Sequence, residues 1–191
     1  SFSPATNISI AGLGTQLTLG GSNTSNAAVS SLTIQDPVNP SAVGNIFRTA
    51  LELQSLDSVT WPTGATSAVV SLWDTSLATP AWVDAAAVSA PGTLLLPGTV
   101  LPADAGGIRV VFSSVSSADI PRNASAGLVL SLENRTGIVA ATYPNTARSE
   151  VARDALSATA PVTANYVVTA ATSDVSAGKS ITPDRMSTEA F

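Results

Sequence analysis

The amino-acid sequence predicts an all-β fold, built as a β-sandwich, on three observations. Apolar residues alternate with polar ones over short stretches, as at Ile8 and Ile10 and at Leu17 and Leu19. Clusters of Gly and Pro interrupt the chain at intervals of roughly ten residues. Charged residues make up 11% of the chain, and Ser, Thr, Asn and Gly fill the surface positions instead. Short alternating strands with frequent turns are typical of a sandwich.

The strand candidates follow one another between these turns. After the segments around Ile8 and Leu17, a third contains Val29, Leu32 and Ile34 and ends at an Asp-Pro-Val-Asn-Pro turn. The further predicted strands are residues 51–56, 67–73, 107–113, 127–133, 138–143 and 162–171. Their period-2 patterning predicts one face toward a core and one toward solvent.

One or two short helices are expected in the loops. Residues 45–53 would place three apolar side chains on one side of a helix. Residues 149–156 carry charges at i, i+3 and i+4 spacing, namely Glu150, Arg153 and Asp154. Both segments are short, so an irregular loop is the alternative for each.

Composition excludes several classes of partner. The net charge is −5 and the basic residues are scattered, so the chain lacks the basic surface that nucleic acid or an anionic membrane requires. No apolar run is long enough to span a bilayer as a helix, so no membrane insertion is predicted. The opening Ser1-Phe2-Ser3-Pro4 has no signal-peptide character, so a secreted protein would be represented here by a mature piece.

Residue types also argue against catalysis. The chain has neither His nor Cys, which removes Ser-His-Asp triads, thiolate nucleophiles and most zinc sites. A Ser-Lys dyad would have to use Lys179, the only lysine. The carboxylates are dispersed, and Asp57, Asp74 and Asp84 come nearest to a cluster. We therefore predict a non-enzyme with no catalytic residue, no metal site and no cofactor.

Two polar or aromatic groups have alternative interpretations. Asp36 and Asn39 could offer oxygen ligands to calcium, but capping of a turn is the favoured interpretation for this spacing. Trp61, Trp73 and Trp82 lie close together in sequence. Packing in the core is favoured for them, and stacking on a sugar ring, by Trp61 and Trp82 above all, is the alternative.

The two ends of the chain echo each other. Ser1-Phe2-Ser3-Pro4 and Ser180-Ile181-Thr182-Pro183 share the order small hydroxyl, apolar, small hydroxyl, proline. A repeat is the interpretation we favour, and chance in a chain rich in Ser, Thr and Pro is the alternative. The apolar residue would point into a core, and the proline would end pairing at a sheet edge.

Residues 15–37, TQLTLGGSNTSNAAVSSLTIQDP, resemble the opening hairpin of the Ig-like repeats found in tandem in very large bacterial surface proteins. The resemblance is carried by the turn at residues 23–26 and by Asp36-Pro37. Asn145-Thr146-Ala147 is similar to a closing-strand signature of these repeats, and Lys179 to Pro183 to the start of a following repeat. The resemblance implies a stalk or fibre, and an insertion between Trp61 and Pro102.

We therefore predict an Ig-like β-sandwich with Greek-key-type connections over residues 1–172, followed at 173–191 by a linker and the first strand of a next copy. The expected function is a structural repeat of an extracellular, cell-surface fibre, with neighbouring copies as partners. Strand donation by 179–191 to a separate subunit is a second version, and an adhesin module that binds a glycan or host protein is the alternative. The predicted junction residues are Phe2, Pro4, Lys179, Ile181 and Pro183.

The position of the single lysine bears on a covalent cross-link that is known in related domains. Domains related to these repeats carry intramolecular Lys–Asn isopeptide bonds, which need a buried Lys, an Asn and an adjacent Asp or Glu. Residues 1–178 contain no Lys, so they cannot form such a bond from their own side chains. A lysine before Ser1, placed as Lys179 is placed before Ser180, would supply the missing group.

Overall fold

The computed structural model describes residues 1–115 and 119–172, and within them the chain folds as two β-sheets packed face to face. Twelve strands lie in these residues: β1 (Phe2–Ser3), β2 (Thr6–Ile8), β3 (Gly14–Ser22), β4 (Ser31–Asp36), β5 (Leu51–Thr60), β6 (Ser67–Asp74), β7 (Ala81–Asp84), β8 (Val88–Ser89), β9 (Ala105–Ser113), β10 (Ser125–Asn134), β11 (Ala141–Arg153) and β12 (Leu156–Thr169). They are joined by one α-helical turn, α1 (Ile46–Thr49), and a 3-10 turn at Pro102–Asp104.

The strand order confirms an Ig-like sandwich with Greek-key-type connections. The first sheet has the order β1-β3-β10-β5, and the second has β2-β12-β11-β4-β9-β6-β7, with β8 also paired to β6. After β3, the chain changes sheet five times: between β3 and β4, β4 and β5, β5 and β6, β9 and β10, and β10 and β11. The N-terminal segment serves both sheets, because β1 pairs antiparallel with β3 and β2 then pairs parallel with β12.

The core lies between the sheets and is built by alternation along the central strands. In β10, Leu128 and Leu130 face inward opposite Leu19 and Leu17 of β3. The intervening residues of β10 face solvent or are half-buried. Burial of each such leucine side chain contributes about 2 kcal/mol. These pairs hold β3 in register and so fix the position of its edge.

The helix predictions were wrong for one segment and too long for the other. Residues 149–156 belong to β11, the turn after it and the start of β12, and Ser149 pairs with Ala160 on one side and Ile34 on the other. A strand between two partners overrides a weak helical charge spacing. Only Ile46–Thr49 of the segment 45–53 is helical, capped by Asn45, whose Oδ1 accepts from Phe47 N at 2.9 Å.

Candidate functional site

A groove runs between the edges of the two sheets, on the side where β3 and β12 face each other. It has a volume of about 530 Å³ and is lined mainly by small and apolar residues. The residues that line the groove include Ser1, Leu19, Gly21, Asn145 and Val162. Its walls are backbone edges and aliphatic side chains, so the groove suits an extended peptide better than a compact polar ligand.

Both strands that border the groove have free edges among the described residues. Strand β1 covers β3 only as far as Thr18, whose carbonyl accepts from the Ser1 amino group at 2.7 Å and whose N–H donates to the Ser1 carbonyl at 2.8 Å. Beyond Thr18, residues 19–22 have no strand partner on that side within the described part of the chain. Strand β12 meets β2 only from Val167 to Thr169. An unpaired edge with a groove beside it is a template for another strand.

A carboxyl and a carboxamide lie buried beside the groove. Asp36 is 0% exposed and Asn145 is 4% exposed, and Asn145 Nδ2 donates to Asp36 Oδ2 at 2.7 Å. Neither Asp36 Oδ1 nor Asn145 Oδ1 has a hydrogen-bond partner among the described residues. Two unpaired buried oxygens next to each other are rare in folded proteins, because each costs the hydration that it has lost.

The environment lets the Asp36 carboxyl keep its proton to a much higher pH than a solvated carboxyl does. Burial raises the pKa of Asp36 from 3.8 to about 7, against the opposing effects of the Asn145 hydrogen bond and the positive charge of the Ser1 amino group. A neutral carboxyl can donate a proton or a hydrogen bond, which a carboxylate cannot. The pair therefore places a proton donor next to a carboxamide, and Asn145 lines the same groove as Ser1.

The sequence does not predict this pair. The spacing of Asp36 and Asn39 favoured a turn capped by both residues, whereas Asn39 alone caps it by accepting from Ser41 N at 3.2 Å. The turn-capping interpretation of Asp36 was thus wrong. A signal was present, because Asp36 continues the inward alternation of Leu32 and Ile34. Its partner lies 109 residues away, and no local pattern connects the two.

Of the predicted junction residues, Phe2 begins β1 and Pro4 directly follows its end. Phe2 is 7% exposed and packs on Tyr166, with ring centroids 5.4 Å apart, so it anchors β1 to the sandwich. Pro4 is exposed, and its carbonyl accepts from Thr15 Oγ1 at 2.7 Å. Lys179, Ile181 and Pro183 lie outside the described residues, as does the whole predicted linker and second-copy strand.

A polar cluster around Asn134 lies at the end of the sandwich where β2 pairs with β12. Asn134 is buried; its Nδ2 donates to the carbonyls of Ile8 and Ile10, both at 3.0 Å, and its Oδ1 accepts from Tyr166 Oη at 2.7 Å. The cluster ties the loop after β2 to β10 and β12. It therefore holds the end of the sandwich from which β12 leaves.

Substitution of Tyr166 by Phe is expected to lower the free energy of unfolding by about 1–2 kcal/mol. The change removes one buried hydrogen bond and leaves Asn134 Oδ1 without its donor. It keeps the ring contact with Phe2, so β1 should remain in place. Urea unfolding measures the loss, and an unchanged free energy would contradict this role of the hydroxyl.

The tryptophans are held within the fold. Trp61 is half-buried, meets Phe112 edge-on with centroids 5.4 Å apart, and donates from Nε1 to the Gly92 carbonyl at 3.2 Å. Trp82 is half-buried against Trp73, with centroids 5.5 Å apart, and Arg109 lies 4.7 Å above its ring. The possible sugar-stacking role of Trp61 and Trp82 stays a prediction.

The remaining site types have no support in the described part of the chain. No group of three or more His, Cys, Asp or Glu lies close enough there to hold a metal ion. No helix within residues 1–115 and 119–172 is long and apolar enough to cross a membrane. The groove and the pair beside it are therefore the best-formed candidate site.

Comparisons of the chain with protein-family models, with curated proteins and with solved structures give no match.

Proposed function

We propose that this chain is a non-catalytic structural unit of an extracellular bacterial fibre or surface stalk, joined end to end to neighbouring copies of itself. The path of the chain along one edge of the sandwich carries the proposal. Ser1 lies at the groove beside Thr18, whereas β12 leaves next to Ile8. Seven residues of mostly extended chain separate these points, which is roughly 20 Å at the rise of a strand.

Entry and exit at separated points suit a tandem array. A chain that leaves one copy beside Ile8 and enters the next at its Ser1 would continue in the same direction along the fibre. The junction would then set the bend and stiffness of the array, as in other repeat proteins. Phe2 and Pro4 contribute to the junction on one side, and the sequence echo assigns Lys179, Ile181 and Pro183 to it on the other.

The surface composition supports an extracellular and non-catalytic role. The chain has 11% charged residues and no His or Cys, and its hydroxyl-rich surface is typical of exported β-proteins. The sandwich buries its own core, so one copy is a folding unit. Each copy would act through its shape and its two ends.

Sedimentation of the full chain beside a copy truncated after residue 176 tests how copies are joined. We expect both to be monomers of equal thermal stability, because the tail then belongs to a covalently following copy. Filaments formed by the full chain alone would contradict the tandem array and would favour donation of residues 179–191 to a separate subunit.

A further inference from the structure

We propose that the outer face of the second sheet is a binding site for an extended, neutral polysaccharide. The site is a row of polar side chains that crosses five adjacent strands, here called the polar row: Asp84, Ser71, Arg109, Gln35 and Arg148. This role goes beyond that of a structural unit and does not depend on how copies are joined.

The register of the second sheet places these five side chains in line. Ser71 lies directly opposite Asp84 on one side and Arg109 on the other, and Gln35 lies opposite both Arg109 and Arg148. The residues next to them on β4, β6 and β9 are buried in the core, so the polar row lies on the outer face. With strands about 4.8 Å apart, the row is roughly 19 Å long. It can therefore contact several consecutive sugars of an extended chain.

The two arginines of the polar row are held in place before any ligand binds. Arg109 lies 4.7 Å above the Trp82 ring, and its Nη2 donates to Ser71 Oγ at 3.3 Å. Arg148 Nη2 donates to Gln35 Oε1 at 2.9 Å, and Gln35 Nε2 in turn donates to two backbone carbonyls, both at 3.0 Å. Side chains that are already ordered lower the entropy cost of binding.

Each arginine keeps hydrogen-bond donors for a ligand. The Arg109 and Arg148 side chains are 29% and 32% exposed, and their Nη1 groups donate to none of the described residues. Within residues 1–115 and 119–172, three buried side-chain N–H groups lack an acceptor, and all three lie on this face: Trp73 Nε1, Arg109 Nε and Arg148 Nε. Buried donors without a partner are rare in folded proteins. The face therefore suits a ligand that is rich in oxygen acceptors.

The balance of charge favours a neutral ligand over a polyanion. Arg109 Nη2 lies 3.7 Å from Asp84 Oδ1, and Arg148 Nη2 lies 3.9 Å from Glu150 Oε2, so each cation is paired with a carboxylate. These four groups carry no net charge, and a polyanion would gain no net attraction from them. Each pair places a donor beside an acceptor. Neighbouring sugar hydroxyls both donate and accept, so each pair can bind two of them.

The spacing of the two arginine–carboxylate pairs sets the length of the ligand. Arg109 on β9 and Arg148 on β11 flank β4, so the two pairs lie two strand spacings apart, roughly 10 Å. Two consecutive sugars of an extended chain cover about this distance. A trisaccharide or a longer chain can therefore contact both pairs at once, whereas a single sugar contacts one.

Affinity electrophoresis of the full chain, in gels that contain a soluble polysaccharide, tests the site. The neutral probes are a β-glucan, a galactomannan and dextran, and hyaluronate is the anionic comparison. We expect at least one neutral probe to retard the chain relative to a gel without polysaccharide, and hyaluronate to retard it less. Retardation by hyaluronate alone, or by none of the four, would overturn the proposal.

A pair of matched variants makes the test specific to the polar row. Arg148→Gln and the control Arg122→Gln remove the same charge, but Arg122 is exposed in the turn before β10, outside the row. Arg148→Gln is expected to weaken binding of the retarding polysaccharide about tenfold, because a charged donor is lost. The control should bind as the native chain does. Equal weakening in both variants would contradict the assigned site.

Asp84→Asn separates a neutral ligand from an anionic one. The Asp84 side chain is 59% exposed, so the change should leave the fold intact, and cooperative urea unfolding checks this. Binding of a neutral polysaccharide is expected to weaken about tenfold, since a hydroxyl loses its charged acceptor. Tighter binding would show that the carboxylate repels the ligand, and it would overturn the assignment of a neutral polysaccharide.

Discussion

Substitution of Asp36 by Asn is expected to raise the free energy of unfolding at pH 8 by up to about 4 kcal/mol. The pKa of Asp36 is about 7 in the folded chain, against 3.8 as its ordinary value, and each unit of difference is worth about 1.4 kcal/mol. At pH 8 the native chain must bury a charged carboxylate. The Asn variant buries a neutral group of the same shape.

The sign of the pH dependence follows from proton binding. Between pH 4 and pH 7 the unfolded chain has released the Asp36 proton and the folded chain keeps it, so the stability of the native sequence falls as pH rises. This loss of unfolding free energy, which comes from Asp36, is absent below pH 4 and constant above pH 8. Urea unfolding of both proteins at pH 4, 6 and 8 measures it as their difference, in which the other carboxylates cancel. A difference that does not change with pH would contradict the buried neutral carboxyl.

Substitution of Arg135 by Ala is expected to lower the free energy of unfolding by about 3 kcal/mol. Its Nε donates to the carbonyls of Phe47 and Leu51 at 2.8 and 3.0 Å, and one Nη donates to the Ala103 carbonyl at 2.9 Å. The side chain thus joins α1, the start of β5 and the 3-10 turn. Its removal leaves several carbonyls without this donor, and a hydrogen bond to a charged group contributes about 1.5–3 kcal/mol.

The ion pair of Arg135 with Glu52 serves as the control. The two charges are 3.4 Å apart and partly exposed, so Glu52→Gln is expected to cost less than about 1 kcal/mol. Thermal or urea unfolding of both variants separates the carbonyl contacts from the ion pair. Equal losses in the two variants would contradict the account, because the ion pair would then explain the whole effect.

Local patterning predicted most of the central strands, but it missed β7, β8 and most of β11, and it did not predict how the strands are arranged. Buried leucines alternate with more exposed residues in β3, at Leu17 and Leu19, and in β10. Such alternation indicates a strand with one face in the core, whatever the order of strands in the sheet. Trp73 shows where alternation misleads. The buried face of β6 is formed by Ala68, Val70 and Leu72, so Trp73 lies on the outer face, where Trp82 covers it. The pairing of β7 with β6 covers that face, and β7 was not among the predicted strands.

The candidate site depends on contacts between distant parts of the chain. The groove exists because β3 and β12 belong to different sheets and border it from opposite sides, and because β2 covers only the end of β12. The Asp36–Asn145 pair requires that β4 and β11 be neighbours, which the order of strands in the sheet decides. The sequence also predicted that the Phe2 side chain points into a core, and Phe2 is buried; its role at a junction between copies stays a prediction.

Small-angle X-ray scattering of a two-copy chain, residues 1–179 followed directly by residues 1–191, tests most directly whether the chain is an end-to-end structural unit. If the unit is one element of a stalk, the scattering should give a single extended particle whose maximum dimension is close to twice that of one copy. Copies that move freely about a loose linker, or that collapse side by side, would contradict an end-to-end structural unit.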